Sequence, residues 1–138
     1  MTKHAGLEKK KVLIIEDDAD VSSILALLLE DMKAQVLTAA DGTAGIAAAL
    51  KQKPDLVLVD LNLPGISGLE VIRSLRATSG MGSVPIIVIT GNSTVENIRE
   101  TARLGADDFL VKANVLAGAG IKRIRKYLDG PKKSKVRK

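Results

Sequence analysis

Cysteine and tryptophan are absent from this 138-residue chain, histidine occurs once, and the only aromatic side chains are Phe109 and Tyr127. Without cysteine there is neither a disulfide framework nor a thiolate metal centre. The lone His4 lies in a polar leader, which argues against a histidine zinc site and against a histidine general base. With so few rings the core has to be aliphatic, and the 46% hydrophobic content, rich in Val, Ile, Leu and Ala, is enough to build one. Long apolar runs are missing as well. Leu56–Val59 and Val84–Ile89 are too short to span a bilayer, and Met1–Lys11 leads into no apolar segment of the signal-peptide kind. One soluble, cytoplasmic domain is expected, with carboxylates as the main chemistry left to it.

The formal charge of +5 is unevenly spread. Residues 1–11 carry about +3 and residues 129–138 about +4, so the body between them is mildly acidic, at about −2. The expected division is a basic leader over 1–10, a folded domain over 11–129 and a basic tail or linker stub over 130–138. No aromatic residues interleave with the basic ones, so a base-stacking platform is lacking and no specific nucleic-acid binding is expected.

Strand and helix patterns alternate along the body. Lys11–Ile15 is a short apolar run that stops at Glu16, Asp17 and Asp18. Val21, Ile24, Leu25, Leu28 and Leu29 then recur at helical spacing. A second strand is predicted over Ala34–Ala39, a helix capped by Asp41 over Thr43–Lys51, and a third strand over Asp55–Asp60. Pro64, Gly65 and Gly68 mark a loop before a helix reaching Thr78. Val84–Thr90 reads as the fourth strand, Thr94 as the cap of a helix ended by Gly105, Asp107–Val111 as the fifth strand, and Val115–Leu128 as one last helix. Strands that are apolar on both faces belong to a parallel sheet covered on both sides. Five βα units with right-handed crossovers give a doubly wound, open α/β fold. Such sheets bind ligands at the carboxyl ends of their strands.

Those ends are where the chemistry gathers: Glu16, Asp17 and Asp18 after the first strand, Asp60 after the third, Thr90 after the fourth and Lys112 after the fifth. Two carboxylates ~5 Å apart repel by about 3 kcal/mol at an effective dielectric of 20, so such a cluster calls for a cation. Oxygen ligands without His or Cys select Mg²⁺, Mn²⁺ or Ca²⁺, and Mg²⁺ suits two or three carboxylates with a position left open. A metal, a carboxylate nucleophile, a lysine and a threonine together point to phosphoryl transfer. In that chemistry Asp60 is the attacking carboxylate, Mg²⁺ held in the acidic cluster bridges Asp60 and a phosphoryl oxygen, Lys112 pairs with a second oxygen and Thr90 donates to another. Gly91 leaves the approach open.

These motifs resemble the receiver domains of two-component response regulators, chemotaxis receivers among them. The resemblance covers about residues 11–128. It rests on the acidic pair, on Asp60-Leu-Asn-Leu-Pro-Gly-Ile-Ser-Gly68, on Ile89-Thr90-Gly91 and on Gly105-Ala-Asp-Asp-Phe-Leu-Val-Lys112, in that order. It implies a flavodoxin-like sheet of order 2-1-3-4-5. It implies phosphorylation of Asp60 from a phosphohistidine on a sensor histidine kinase or a histidine phosphotransfer protein. Asp17 becomes a direct Mg²⁺ ligand, Glu16 acts partly through water, and Asn62 offers its backbone carbonyl. Asn62 and Asn92 are placed to tune access to the phosphoryl group. Thr90 and Phe109 become a switch that reshapes the fourth helix, fifth strand and fifth helix for a downstream protein, with a phosphorylation-dependent dimer left open. In one place the sequence departs from the family: Ala113 follows Lys112 where a proline with a cis bond is usual. A cis bond to a non-proline costs about 2.5–4 kcal/mol, so either a trans bond with altered aim or a strained cis bond is expected.

A signalling switch acting by protein contact is the reading, with slow self-dephosphorylation and no metabolic activity. Its alternatives are a receiver belonging to a larger hybrid kinase or transcription regulator, and a binding module that works without phosphorylation. An aspartyl-phosphate phosphatase would want a second Asp two residues after the nucleophile, and position 62 is Asn.

Overall fold

The computed structural model describes residues 10–91 and 94–129. Residues 1–9 of the expected leader, the expected tail and Asn92 lie outside the described residues. Five strands, β1 (Lys11–Ile15), β2 (Gln35–Ala39), β3 (Leu56–Val59), β4 (Ile86–Thr90) and β5 (Asp108–Val111), form one parallel sheet in the order β2-β1-β3-β4-β5. The helices are α1 (Ala19–Glu30), α2 (Gly42–Gln52), α3 (Gly68–Ala77), α4 (Val95–Leu104), α5 (Lys112–Leu116) and α6 (Ile121–Asp129). No described helix is long and apolar enough to cross a membrane.

Alternation along the strands builds two separate cores. Val12, Ile14, Leu56, Leu58, Ile87 and Ile89 point to one face, where Leu25 and Leu29 of α1, Val115 of α5, and Ile124 and Leu128 of α6 cover them. Leu13, Ile15, Val57, Val59, Ile86 and Val88 point to the other, against Ala49 of α2 and Val71, Ile72 and Leu75 of α3. A period of two on strands that are buried throughout explains why the runs read as continuous rather than alternating.

The caps follow the sequence. Asp41 accepts from the Ala44 N–H at 2.8 Å, Thr94 from the Asn97 N–H at 3.1 Å, and Gly105 closes α4 at φ 115°. The expected last helix is not continuous. It ends at Leu116, turns through Ala117–Gly120 with Gly118 at φ 92°, and resumes at Ile121. The apolar spacing of Val115, Ile121, Ile124 and Leu128 fits one helix, but two glycines within three residues favour a turn over helical backbone.

Arg76 organises the end of the sheet opposite the carboxyl edge. Its guanidinium donates to the carbonyls of Gly105 (3.0 Å), Met81 (3.0 Å) and Val84 (2.7 Å) and to the Asp107 carboxylate (2.9 Å). The same Asp107 oxygen accepts from the Ile86 N–H at 2.9 Å. One side chain thus joins α3, the entry to β4 and the entry to β5. Replacing Arg76 by methionine keeps the stem and strands these acceptors, so a loss of about 2–4 kcal/mol in urea unfolding is expected; a change within 0.5 kcal/mol would show the network to be surface decoration.

Candidate functional site

At the carboxyl edge, pairing of β1 with β3 brings Ile15 level with Val59, so the next residues, Glu16 and Asp60, leave adjacent strands side by side. The Glu16 N–H donates to the Ala39 carbonyl at 3.0 Å and the Asp60 N–H to the Ile15 carbonyl at 3.1 Å, fixing both where the strands end. Both side chains are nearly out of water, whereas Asp17 is exposed. Each of the three offers a carboxylate oxygen, and these oxygens lie within 4.8 Å of one another. Asp18 is used otherwise: its side chain caps α1 by accepting from the Asp20 and Val21 N–H groups, and its own N–H donates to Glu16 at 3.0 Å.

Lys112 crosses to this cluster from the far side of β4. Its Nζ lies 3.1 Å from Asp60 Oδ2 and 3.2 Å from Glu16 Oε1. Asp60 Oδ1 accepts from the Asn62 N–H at 3.2 Å. Thr90 is fully buried at the end of β4, level with Val111, one residue before Lys112. Gly91 is exposed, and among the described residues nothing lies within 4 Å of where a Cβ would stand. The Lys112–Ala113 peptide is trans, since the described residues contain no cis bond. Even so the ammonium reaches both carboxylates, so the absence of a proline does not cost the pairing.

The charges explain one another. Burial pushes the Glu16 carboxyl above its usual range, the Asp18 N–H opposes this, and the charge of Asp60 adds to it. Burial pulls Lys112 down, but its hydrogen bonds and ion pairs with Asp60 and Glu16 outweigh that and leave it above the ordinary lysine value. Three carboxylates against one ammonium leave about two negative charges, a donor set of hard oxygens that matches a divalent cation of the Mg²⁺ kind.

Phe109 is half-buried on β5, level with Val88 and packed on the core that α2 and α3 cover. It borders two hollows, one of about 200 Å³ toward α4 and one of about 290 Å³ toward the turn between α5 and α6. Sequence reasoning missed what holds the loop after Asp60. Gly68 donates to the Leu61 carbonyl at 3.0 Å, and a Cβ on it would fall on the Asp60 carbonyl oxygen and 2.7 Å from Leu61 Cα.

The model of the response regulator receiver domain family matches residues 12–118. The chain belongs to this family. The DNA-binding response regulator MtrA of Mycobacterium tuberculosis (strain H37Rv) is 36% identical over 104 residues, covering 75% of this chain and 44% of that protein. The chain therefore spans under half the length of the curated relatives it matches. Among solved structures, the chemotaxis response regulator CheY4 of Vibrio cholerae is similar with a TM-score of 0.80 at 28% identity, over 86% of this chain and 98% of that one. The BeF3-activated N-terminal receiver domain of Klebsiella pneumoniae RstA gives a TM-score of 0.75 at 30% identity, over 86% and 98%. The receiver fold, its strand order and its place in two-component signalling follow from this membership.

Two outcomes follow from this geometry. Gly68→Ala has backbone rather than a flexible side chain to displace, so it should shift the Asp60 loop and cost roughly 2–4 kcal/mol; chemical denaturation and the amide shifts of residues 60–62 read both effects. Glu16→Gln should stabilise the receiver in divalent-free buffer at neutral pH. A raised carboxyl pKa means that ionised Glu16 costs the folded state; the cost begins to fall as the pH drops through its folded value and is gone only below the ordinary carboxylate value of the unfolded chain. The advantage of the variant should therefore disappear toward acid pH; a gap that widens there would contradict the assigned direction.

Proposed function

We propose that this receiver is a phosphoacceptor switch in which Asp60 takes a phosphoryl group from a partner's phosphohistidine. The observation that carries the reading is the Lys112 ammonium held 3.1 Å from Asp60 and 3.2 Å from Glu16, with Asp17 beside them. An Asp60 oxygen attacks phosphorus, the P–O bond forms as the P–N bond breaks, and the imidazole nitrogen leaves with the electron pair. Lys112, already at Asp60, pairs with a phosphoryl oxygen as charge builds on it, and the Thr90 hydroxyl donates to another. Glu16, Asp17, Asp60 and the Asn62 carbonyl are the groups that would hold Mg²⁺. When bound, the ion supplies neutralisation of phosphoryl charge. Access of water is assigned to Asn62 and Gly91, with Asn92 outside the described residues, and turnover is limited to slow self-dephosphorylation.

Once phosphorylated, Thr90 moves toward the new group and Phe109 fills the space vacated. The face formed by α4, β5 and the last helices then engages a downstream protein. The transmitting partner is a sensor kinase or a phosphotransfer protein in the cytoplasm, and no membrane or nucleic-acid contact is assigned to this domain. The folded domain is assigned to residues 11–129, with the basic segments 1–10 and 130–138 outside it.

The test is intact mass after incubation with acetyl phosphate, with and without Mg²⁺, on the wild type and Asp60→Asn. The wild type gains one phosphoryl group only with Mg²⁺, and the variant gains none. No adduct at any Mg²⁺ concentration, together with no binding of beryllofluoride, would sink the reading in favour of a phosphorylation-independent binding module.

A further inference from the structure

Lys112 is the first residue of α5, and no side-chain cap fixes that end of the helix. The N-cap is Val111, whose side chain makes no capping bond. The opposite end is locked instead. The Gly118 N–H donates to the Val115 carbonyl at 2.9 Å and the Ala119 N–H to the Asn114 carbonyl at 2.9 Å, with Gly118 at φ 92°. That paired closure with a left-handed glycine is the Schellman ending, here closing a helix of five residues. Val115 is fully buried and belongs to the core that includes Leu25, Ile89 and Ile124, so it pins the short helix to the sheet. Gly120 lies against it so closely that a Cβ would fall 2.8 Å from Val115 Cγ2 and 3.3 Å from Val115 Cα. Before Lys112 the β4–β5 ladder sets Val111 level with Thr90. Lys112 is thus held between a strand register on one side and a closed, anchored turn of helix on the other.

We infer that the segment from Ala113 to Gly120 aims the Lys112 ammonium at Asp60 and Glu16, with Val115, Gly118 and Gly120 as positioning residues for phosphoryl transfer. This rests on the phosphoacceptor reading of Asp60 for its consequence, not for its geometry. The trans Lys112–Ala113 bond supports it, because a helical backbone at Lys112 takes the place of any special peptide geometry. It also means that proline is the wrong residue at 113. Proline disfavours helical backbone at the residue before it. The N–H it removes belongs to the first turn, which has no intrahelical acceptor, so its effect would act through the Lys112 backbone.

The experiment uses the whole chain and follows two readouts in Ala113→Pro, Gly120→Ala, Val115→Ala, and a stability control, Val36→Ala, on the far edge strand. The first readout is the ¹⁵N–¹H signal of the Lys112 ammonium without Mg²⁺, assigned by its loss in Lys112→Arg. The second is the rate of phosphorylation by acetyl phosphate with Mg²⁺. The ammonium signal should move to a solvent-exposed position in Ala113→Pro, Gly120→Ala and Val115→Ala, and stay put in the control. The rate should fall on the order of ten- to a hundred-fold in the first two variants. A Lys112 signal that holds its place in both, or that moves equally in the control, overturns the inference. If the signal moves as expected while even the wild type takes no phosphoryl group, the aiming stands and the Asp60 reading falls.

Discussion

Glu16 and Asp60 are held almost out of water at the ends of neighbouring strands, and the Lys112 ammonium stands between them at 3.1 and 3.2 Å. Their carboxylate oxygens lie within 4.8 Å of each other and repel, and burial raises the cost of ionising Glu16. A fold that collects like charge in this way needs strong constraint elsewhere. The sheet supplies it, with central strands fully buried on both faces. Gly68 supplies more of it by packing on the Asp60 backbone itself. The same crowding that costs stability prepares an oxygen-rich place for a divalent cation and a phosphoryl group, consistent with strain concentrating where the chemistry is.

Lysine and metal divide the work of charge compensation differently. Lys112 carries one charge on a long stem, so its effect depends on where its backbone points. A metal carries two and takes its direction from the ligands. This division explains why the backbone after Lys112 matters. A five-residue helix ordinarily has little stability of its own, and here it is kept by a buried valine and a glycine ending rather than by its own propensity.

Much of this could be read before any coordinates. Continuous aliphatic runs gave the parallel sheet, since two-sided burial removes alternation from the sequence. Asp41, Thr94 and Gly105 marked helix ends because each supplies a local hydrogen bond or a left-handed backbone that few residues can. The site residues emerged because the fold sends every strand end to one edge. What escaped was non-local. Arg76 lies on an amphipathic helix where a charge normally means solvent, and three of its four acceptors are backbone carbonyls, at positions 81, 84 and 105, which carry no side-chain signature. The broken last helix escaped for the opposite reason: its apolar spacing was regular enough to outweigh Gly118 and Gly120. Gly68 was seen as a loop marker, but its close approach to Asp60 is visible only in three dimensions.

The two cores share strands but not side chains. Val115, which anchors the helix behind Lys112, belongs to one. Phe109 leans on the other. Substitutions that do not touch one another tend to add independently. On the proposed reading, Val115 serves the rate at which the mark is written and Phe109 its display, so the two tasks lean on different cores. Where two tasks rest on different cores, a change of tempo need not be a change of audience.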